Sequence, residues 1–132
     1  MAGSRARVGT QKRVGMTSRS HILVVEDDLL VSEVVAAALE DAYTTSHVTT
    51  AAEALAQLRG GGIDLMLLDC TLPGGLDDKL LPEADRGGVP VVLMSGDPER
   101  MQRIDGRHRP HVVKPFSLTA LLEVVEGVIG PG

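Results

Sequence analysis

Four short, mostly apolar runs each stop at a polar or charged residue, and this repeated ending constrains the fold more than any other feature of the sequence. Ile22–Val25 stops at Glu26, Leu65–Leu68 at Asp69, Val89–Met94 at Ser95 and His111–Val113 at Lys114. Runs this short and this rich in Val, Ile and Leu fit strands covered on both faces better than buried helices. The segments between them carry apolar residues at helical spacing. Strands and helices therefore alternate, as in a parallel sheet with helices on both sides.

Along the chain, a first helix is expected directly after Asp28. Its inner face would carry Leu30, Val31, Val34, Val35, Ala38 and Leu39, and its wetter face Ser32, Glu33, Glu40 and Asp41. Thr44–Val48 reads as a weaker second strand, and Thr50 with Glu53 forms a capping box ahead of Ala54, Leu55 and Leu58. Three consecutive glycines from Gly60 end that helix, and Asp64 opens the third strand. A third helix within residues 77–86 should be short or distorted, because Pro82 interrupts it. Pro98 suits the first turn of a short fourth helix, and Ser117 caps a last one with Leu118, Leu121, Leu122, Val125 and Ile129 inward. Five β/α units result, without internal repeats.

At 132 residues the chain holds one domain, large enough to build a core without covalent staples. The single Cys70 excludes an internal disulfide and a cysteine zinc site, and it fits a reducing compartment. Tyr43 and Phe116 are the only aromatic residues, which argues against modules that stack bases on aromatic platforms. Arg5, Arg7, Lys12, Arg13 and Arg19 make residues 1–20 a basic, flexible tail free of acids. The remainder, residues 21–130 in essence, keeps eight cations against all 18 acids, a net −10. So acidic a body repels phosphate backbones, so the folded part is not expected to bind nucleic acid. No stretch has the length and apolarity of a signal peptide or membrane span, and a cytoplasmic location is expected.

In an open parallel sheet the functional site lies beyond the carboxyl ends of the strands. Here those ends carry Glu26, Asp27, Asp28, Asp69, Ser95 and Lys114. Carboxylates brought together repel unless a cation neutralises them, and Mg²⁺, an oxygen-seeking ion, suits such a set. One carboxylate would then be placed to act as a nucleophile.

The ordered stretches ILVVEDD, LMLLDCTLP, VVLMSG and HVVKPF resemble the receiver domain of two-component response regulators, and the likeness extends from about His21 to Ile129. The resemblance implies a flavodoxin-like, doubly wound five-stranded parallel sheet of order 2-1-3-4-5, with short or irregular third and fourth helices. It assigns Asp69 as the phospho-acceptor, a carboxylate that attacks a phosphohistidine to become an aspartyl phosphate. Asp27 matches the direct Mg²⁺ ligand, Glu26 an acid acting mainly through a bound water, and Thr71 a residue lending its backbone carbonyl. Asp28 is better placed to cap the following helix. Lys114 and Ser95 match the groups that contact the phosphoryl oxygens, and Pro115 matches the family's cis peptide. His111 stands where the family usually has a large aromatic residue that turns inward as the hydroxyl moves, so Ser95 and His111 are the expected switch pair.

The implied function is that of a single-domain response regulator, ending without an output domain, which catalyses only its own phosphorylation and dephosphorylation. Its donor would be a histidine kinase or a histidine phosphotransfer protein, and its target an unidentified downstream protein. The alternative is a pseudo-receiver that acts as a phosphorylation-independent interaction module. A flavodoxin-like nucleotide binder would place hydroxyls and glycines after the first strand, where this chain has three acids. A haloacid-type phosphatase would need a second Asp where Thr71 stands.

Overall fold

The computed structural model describes residues 19–72, 78–97, 99 and 109–130. Within them, β1 (His21–Val25), α1 (Leu29–Leu39), β2 (Thr44–Val48), α2 (Ala51–Gly60), β3 (Leu65–Asp69), α3 (Leu80–Arg86), β4 (Val91–Ser95), β5 (His111–Val113) and α4 (Leu118–Ile129) follow in order. The strands form one sheet in the order β2-β1-β3-β4-β5, every pair parallel. This is the expected doubly wound architecture. The basic stretch 1–18, residues 73–77, and residues 98 and 100–108, where the short helix opening at Pro98 is expected, lie outside the described residues.

Period-two alternation along the central strands divides the core between the two faces of the sheet. Leu23, Val25, Met66, Leu68, Val91 and Leu93 pack with Ala54, Leu55, Leu80 and Ala84 from α2 and α3. Ile22, Val24, Leu65, Leu67, Val92 and Met94 face the other way, onto Val35, Leu39, Leu121 and Val125 from α1 and α4. All of β3 and β4 is buried, whereas edge strand β2 is half exposed. That is why the central strands read as unbroken apolar runs and β2 did not.

Helix details depart from expectation in instructive ways. On α1 the buried stripe is Ser32, Val35 and Leu39, while Leu30 and Val34 are exposed. Ser32 belongs to this stripe by spacing, and its hydroxyl, which donates to the Leu29 carbonyl at 3.0 Å, enters the interior already satisfied. Thr50 caps α2 by accepting the Glu53 N–H at 3.1 Å, but Glu53 reaches back to the N–H and hydroxyl of Thr49, one residue earlier than a capping box requires. Pro82 does not interrupt α3. It is the helix's third residue, in the first turn, where an N–H has no intrahelical partner to lose. Val89 belongs to the end of α3 rather than to β4: Gly88, at φ 71°, turns the chain so that the Val89 N–H meets the Ala84 carbonyl. Ser117 caps α4 through the Ala120 N–H, and Leu121 and Val125 are buried as expected, but Leu118 is exposed.

Candidate functional site

The site lies at the carboxyl edge of the sheet, where β1, β3, β4 and β5 end side by side. Glu26 and Asp27 follow β1, Asp69 is the last residue of β3, Ser95 the last of β4, and Lys114 follows β5. Parallel pairing aligns these ends: Val25 is opposite Leu68, Asp69 opposite Met94, and Ser95 opposite Val113. Each strand changes from apolar to polar at the same level because the core ends there.

Glu26, Asp69 and Ser95 are about 1% exposed, and Asp27 is open to solvent. One oxygen from each of Glu26, Asp27 and Asp69 falls within 4.8 Å of the others. Mg²⁺ is held by oxygen ligands, carboxylates among them, so a set of three converging carboxylate oxygens suits that ion. The Lys114 Nζ donates to Glu26 Oε1 at 2.8 Å and lies 3.5 Å from Asp69 Oδ1. Asp69 Oδ1 also accepts the Thr71 N–H at 3.0 Å and the Thr71 hydroxyl at 2.8 Å, while Glu26 Oε2 accepts the Asp28 N–H at 3.2 Å. The Lys114–Pro115 peptide is cis.

These contacts set the order in which the groups ionise. Burial raises the Glu26 carboxyl above its usual range, with the Lys114 ammonium pulling the other way and the neighbouring Asp69 adding to the rise. Burial also works against ionisation of Asp69, yet the Thr71 N–H, Glu26, the Thr71 hydroxyl and the Lys114 charge hold Asp69 below its ordinary range. Lys114 is desolvated too, but Glu26 and Asp69 keep it protonated well into alkaline pH. Of the two buried acids, Asp69 is the more readily ionised. An ionised, desolvated carboxylate beside a fixed ammonium is the state required of a nucleophile toward a phosphoryl group.

The remaining expected residues are placed less directly. Asp28 Oδ1 accepts the N–H groups of Leu30 and Val31, so this acid caps α1. Ser95 Oγ accepts the Asp97 N–H at 3.0 Å and so faces its own turn. His111 is exposed, its Nδ1 directed at the Arg109 carbonyl at 3.3 Å. A Cβ at Gly96 would meet the Lys114 carbonyl in ordinary contact at 3.9 Å. One neighbour escaped the sequence reading. His47, on β2, donates from Nε2 to the Glu26 carbonyl oxygen at 2.7 Å. Only strand pairing brings the two together.

A doubly wound sheet whose carboxyl edge gathers three carboxylates, a hydroxyl and an ammonium is the architecture of a phosphoryl-accepting receiver. The sequence matches the response regulator receiver domain over residues 22–126, and the chain belongs to that family, whose place is in two-component signalling. It is 34% identical over 115 residues to the swarming motility regulation protein RssB of Serratia marcescens, covering 82% of this chain and 52% of that one. It is 32% identical to the transcriptional regulatory protein TcrA of Mycobacterium tuberculosis, covering 89% of this chain and 49% of the relative. The chain thus spans about half the length of these curated relatives. Among solved structures, the Vibrio cholerae chemotaxis protein CheY4 superposes with a TM-score of 0.74 at 21% identity, covering 84% of this chain and 99% of that one. The receiver domain of the Pseudomonas aeruginosa sensor histidine kinase PA1611, solved with a magnesium ion in its active-site cleft, gives 0.74 at 24% identity and covers 86% and 99%. No helix among the described residues is long and apolar enough to cross a membrane.

Proposed function

We propose that the chain acts as a cytoplasmic response regulator receiver that takes a phosphoryl group onto Asp69 from a histidine kinase or histidine phosphotransfer protein, with Mg²⁺ bound by Glu26, Asp27, Asp69 and the Thr71 carbonyl. The observation that carries this reading is the setting of Asp69: buried, held by Thr71 and faced by Lys114. The bound cation would supply positive charge to offset that of the phosphoryl oxygens. Asp69 Oδ attacks phosphorus as the P–N bond to the donor imidazole breaks, and the donor nitrogen leaves with the bonding pair. Lys114 balances charge on the equatorial oxygens, and Thr71 steadies the attacking carboxylate. Ser95 turns from the Asp97 N–H to a phosphoryl oxygen, and His111 follows into the space it leaves. The magnesium-bearing PA1611 domain lends the cation reading support by analogy.

A donor must approach the open mouth of the site. Exposed Leu30 and Val34 on α1, with Pro115 and Phe116 beside Lys114, line an apolar groove there that is suited to a protein donor. Incubation with acetyl phosphate and Mg²⁺ followed by intact mass analysis tests the reading. Wild type should gain one phosphoryl group, and Asp69→Asn should gain none while keeping its fold. Wild type that stays unlabelled would favour a phosphorylation-independent interaction module.

A further inference from the structure

We propose that His47 is a positioning residue for the cation site, clamping the main chain between Glu26 and Asp27; this rests on the Mg²⁺ reading above. β1 ends at Val25, yet β2 continues to hold the next residue from both sides. The Val48 carbonyl accepts the Glu26 N–H at 3.1 Å, and the His47 Nε2–H donates to the Glu26 carbonyl at 2.7 Å. A carbonyl only accepts, so the imidazole is the donor. That carbonyl shares one rigid peptide plane with the Asp27 N–H, and fixing it fixes the direction in which Asp27 leaves the strand. Asp27 is exposed, so no surrounding core holds its carboxylate in place. Its aim toward Glu26 and Asp69 depends on its own main chain.

Without the clamp, the Glu26–Asp27 peptide gains freedom to rotate through Glu26 ψ and Asp27 φ, which spreads the carboxylate over several directions. Mg²⁺ demands near-ideal octahedral geometry and tolerates such spread poorly. Groups that orient metal ligands typically govern affinity by 10–100-fold, and a clamp acting on one ligand of the set should be worth about tenfold. His47 pairs in register with Val24 on an edge strand and is itself exposed, so its removal should leave the core intact.

The test is Mg²⁺ titration of the full chain by calorimetry, for wild type, His47→Ala, His47→Gln and His47→Val, with thermal melting of each without Mg²⁺. Alanine and valine should weaken binding about tenfold, and glutamine, whose amide N–H reaches the same carbonyl, should restore most of it. Valine, a good strand former, should leave the melting temperature unchanged. The clamp is overturned if alanine and valine bind as tightly as wild type, if glutamine is no better than they are, or if affinity merely follows melting temperature. Wild type that binds no Mg²⁺ would end the cation reading and the clamp with it.

Discussion

Asp69 and Ser95 close adjacent strands and are equally buried, yet they are held in different ways. The acid half of the edge is tied by contacts across the whole chain: Lys114 meets Glu26 88 residues away, and β2 holds the Glu26 main chain. The hydroxyl half is satisfied locally. The Ser95 hydroxyl pairs with the Asp97 N–H and the His111 ring with the Arg109 carbonyl, each two residues away. A network that spans the sheet is set when the domain folds, so the charged groups are arranged before substrate arrives. A bond inside one turn can be exchanged for another without disturbing the core. Under the proposed function, chemistry belongs to the first half and movement to the second.

The contrast fails if both halves respond alike to mutation. Lys114→Ala should slow acetyl-phosphate labelling about a hundredfold, the cost of removing a preorganised charge from a transition state. Ser95→Ala removes one hydrogen bond of about 1 kcal/mol and should slow it only about fivefold. Similar rates for the two variants, measured by intact mass over time, would erase the distinction.

Within the acid half, Asp27→Ala should weaken Mg²⁺ binding about a hundredfold, more than the loss of a group that only orients it, while Asp28→Ala should leave affinity nearly unchanged. The second variant should instead lose about 1 kcal/mol of stability, because Asp28 caps α1. Titration and denaturant unfolding of both variants separate ligand from cap.

Acidification gives a smaller effect with a definite sign. Mg²⁺ needs Glu26 ionised, and burial has raised that carboxyl above its ordinary 4.5. A proton therefore competes with the cation at a higher pH than an unperturbed glutamate would allow, so affinity should begin to fall above 4.5 as the solution is acidified. Below that onset, binding should release protons, seen as a buffer-dependent heat. Affinity flat down to 4.5 would show that Glu26 stays ionised in the free protein.

The subtlest expectation belongs to the movable half. Beryllofluoride, a phosphoryl mimic, should shift the His111 ring resonances as the imidazole moves toward the space that Ser95 leaves. Unchanged ring shifts would leave Ser95 without this partner and favour a phosphate sink over a switch.

The sequence by itself determined the alternation of strands and helices, the five-stranded order through family resemblance, and the chemical types at the strand ends. Those were legible because a strand buried on both faces must be apolar throughout, so an acid directly after Leu68 or Val25 stands out against its surroundings. Caps such as Asp28, Thr50 and Ser117 were legible too, since their partners lie within three residues. Only the tertiary structure decided which face of an almost uniformly apolar α1 is buried, because a stripe of Val, Leu and Ala on every side offers periodicity no contrast. It also decided that Pro82 sits harmlessly in a first turn, that Lys114 lies nearer Glu26 than Asp69, and that His47 reaches the Glu26 carbonyl. Each depends on a register or a distance between segments far apart in the chain, and spacing along the sequence carries no such information.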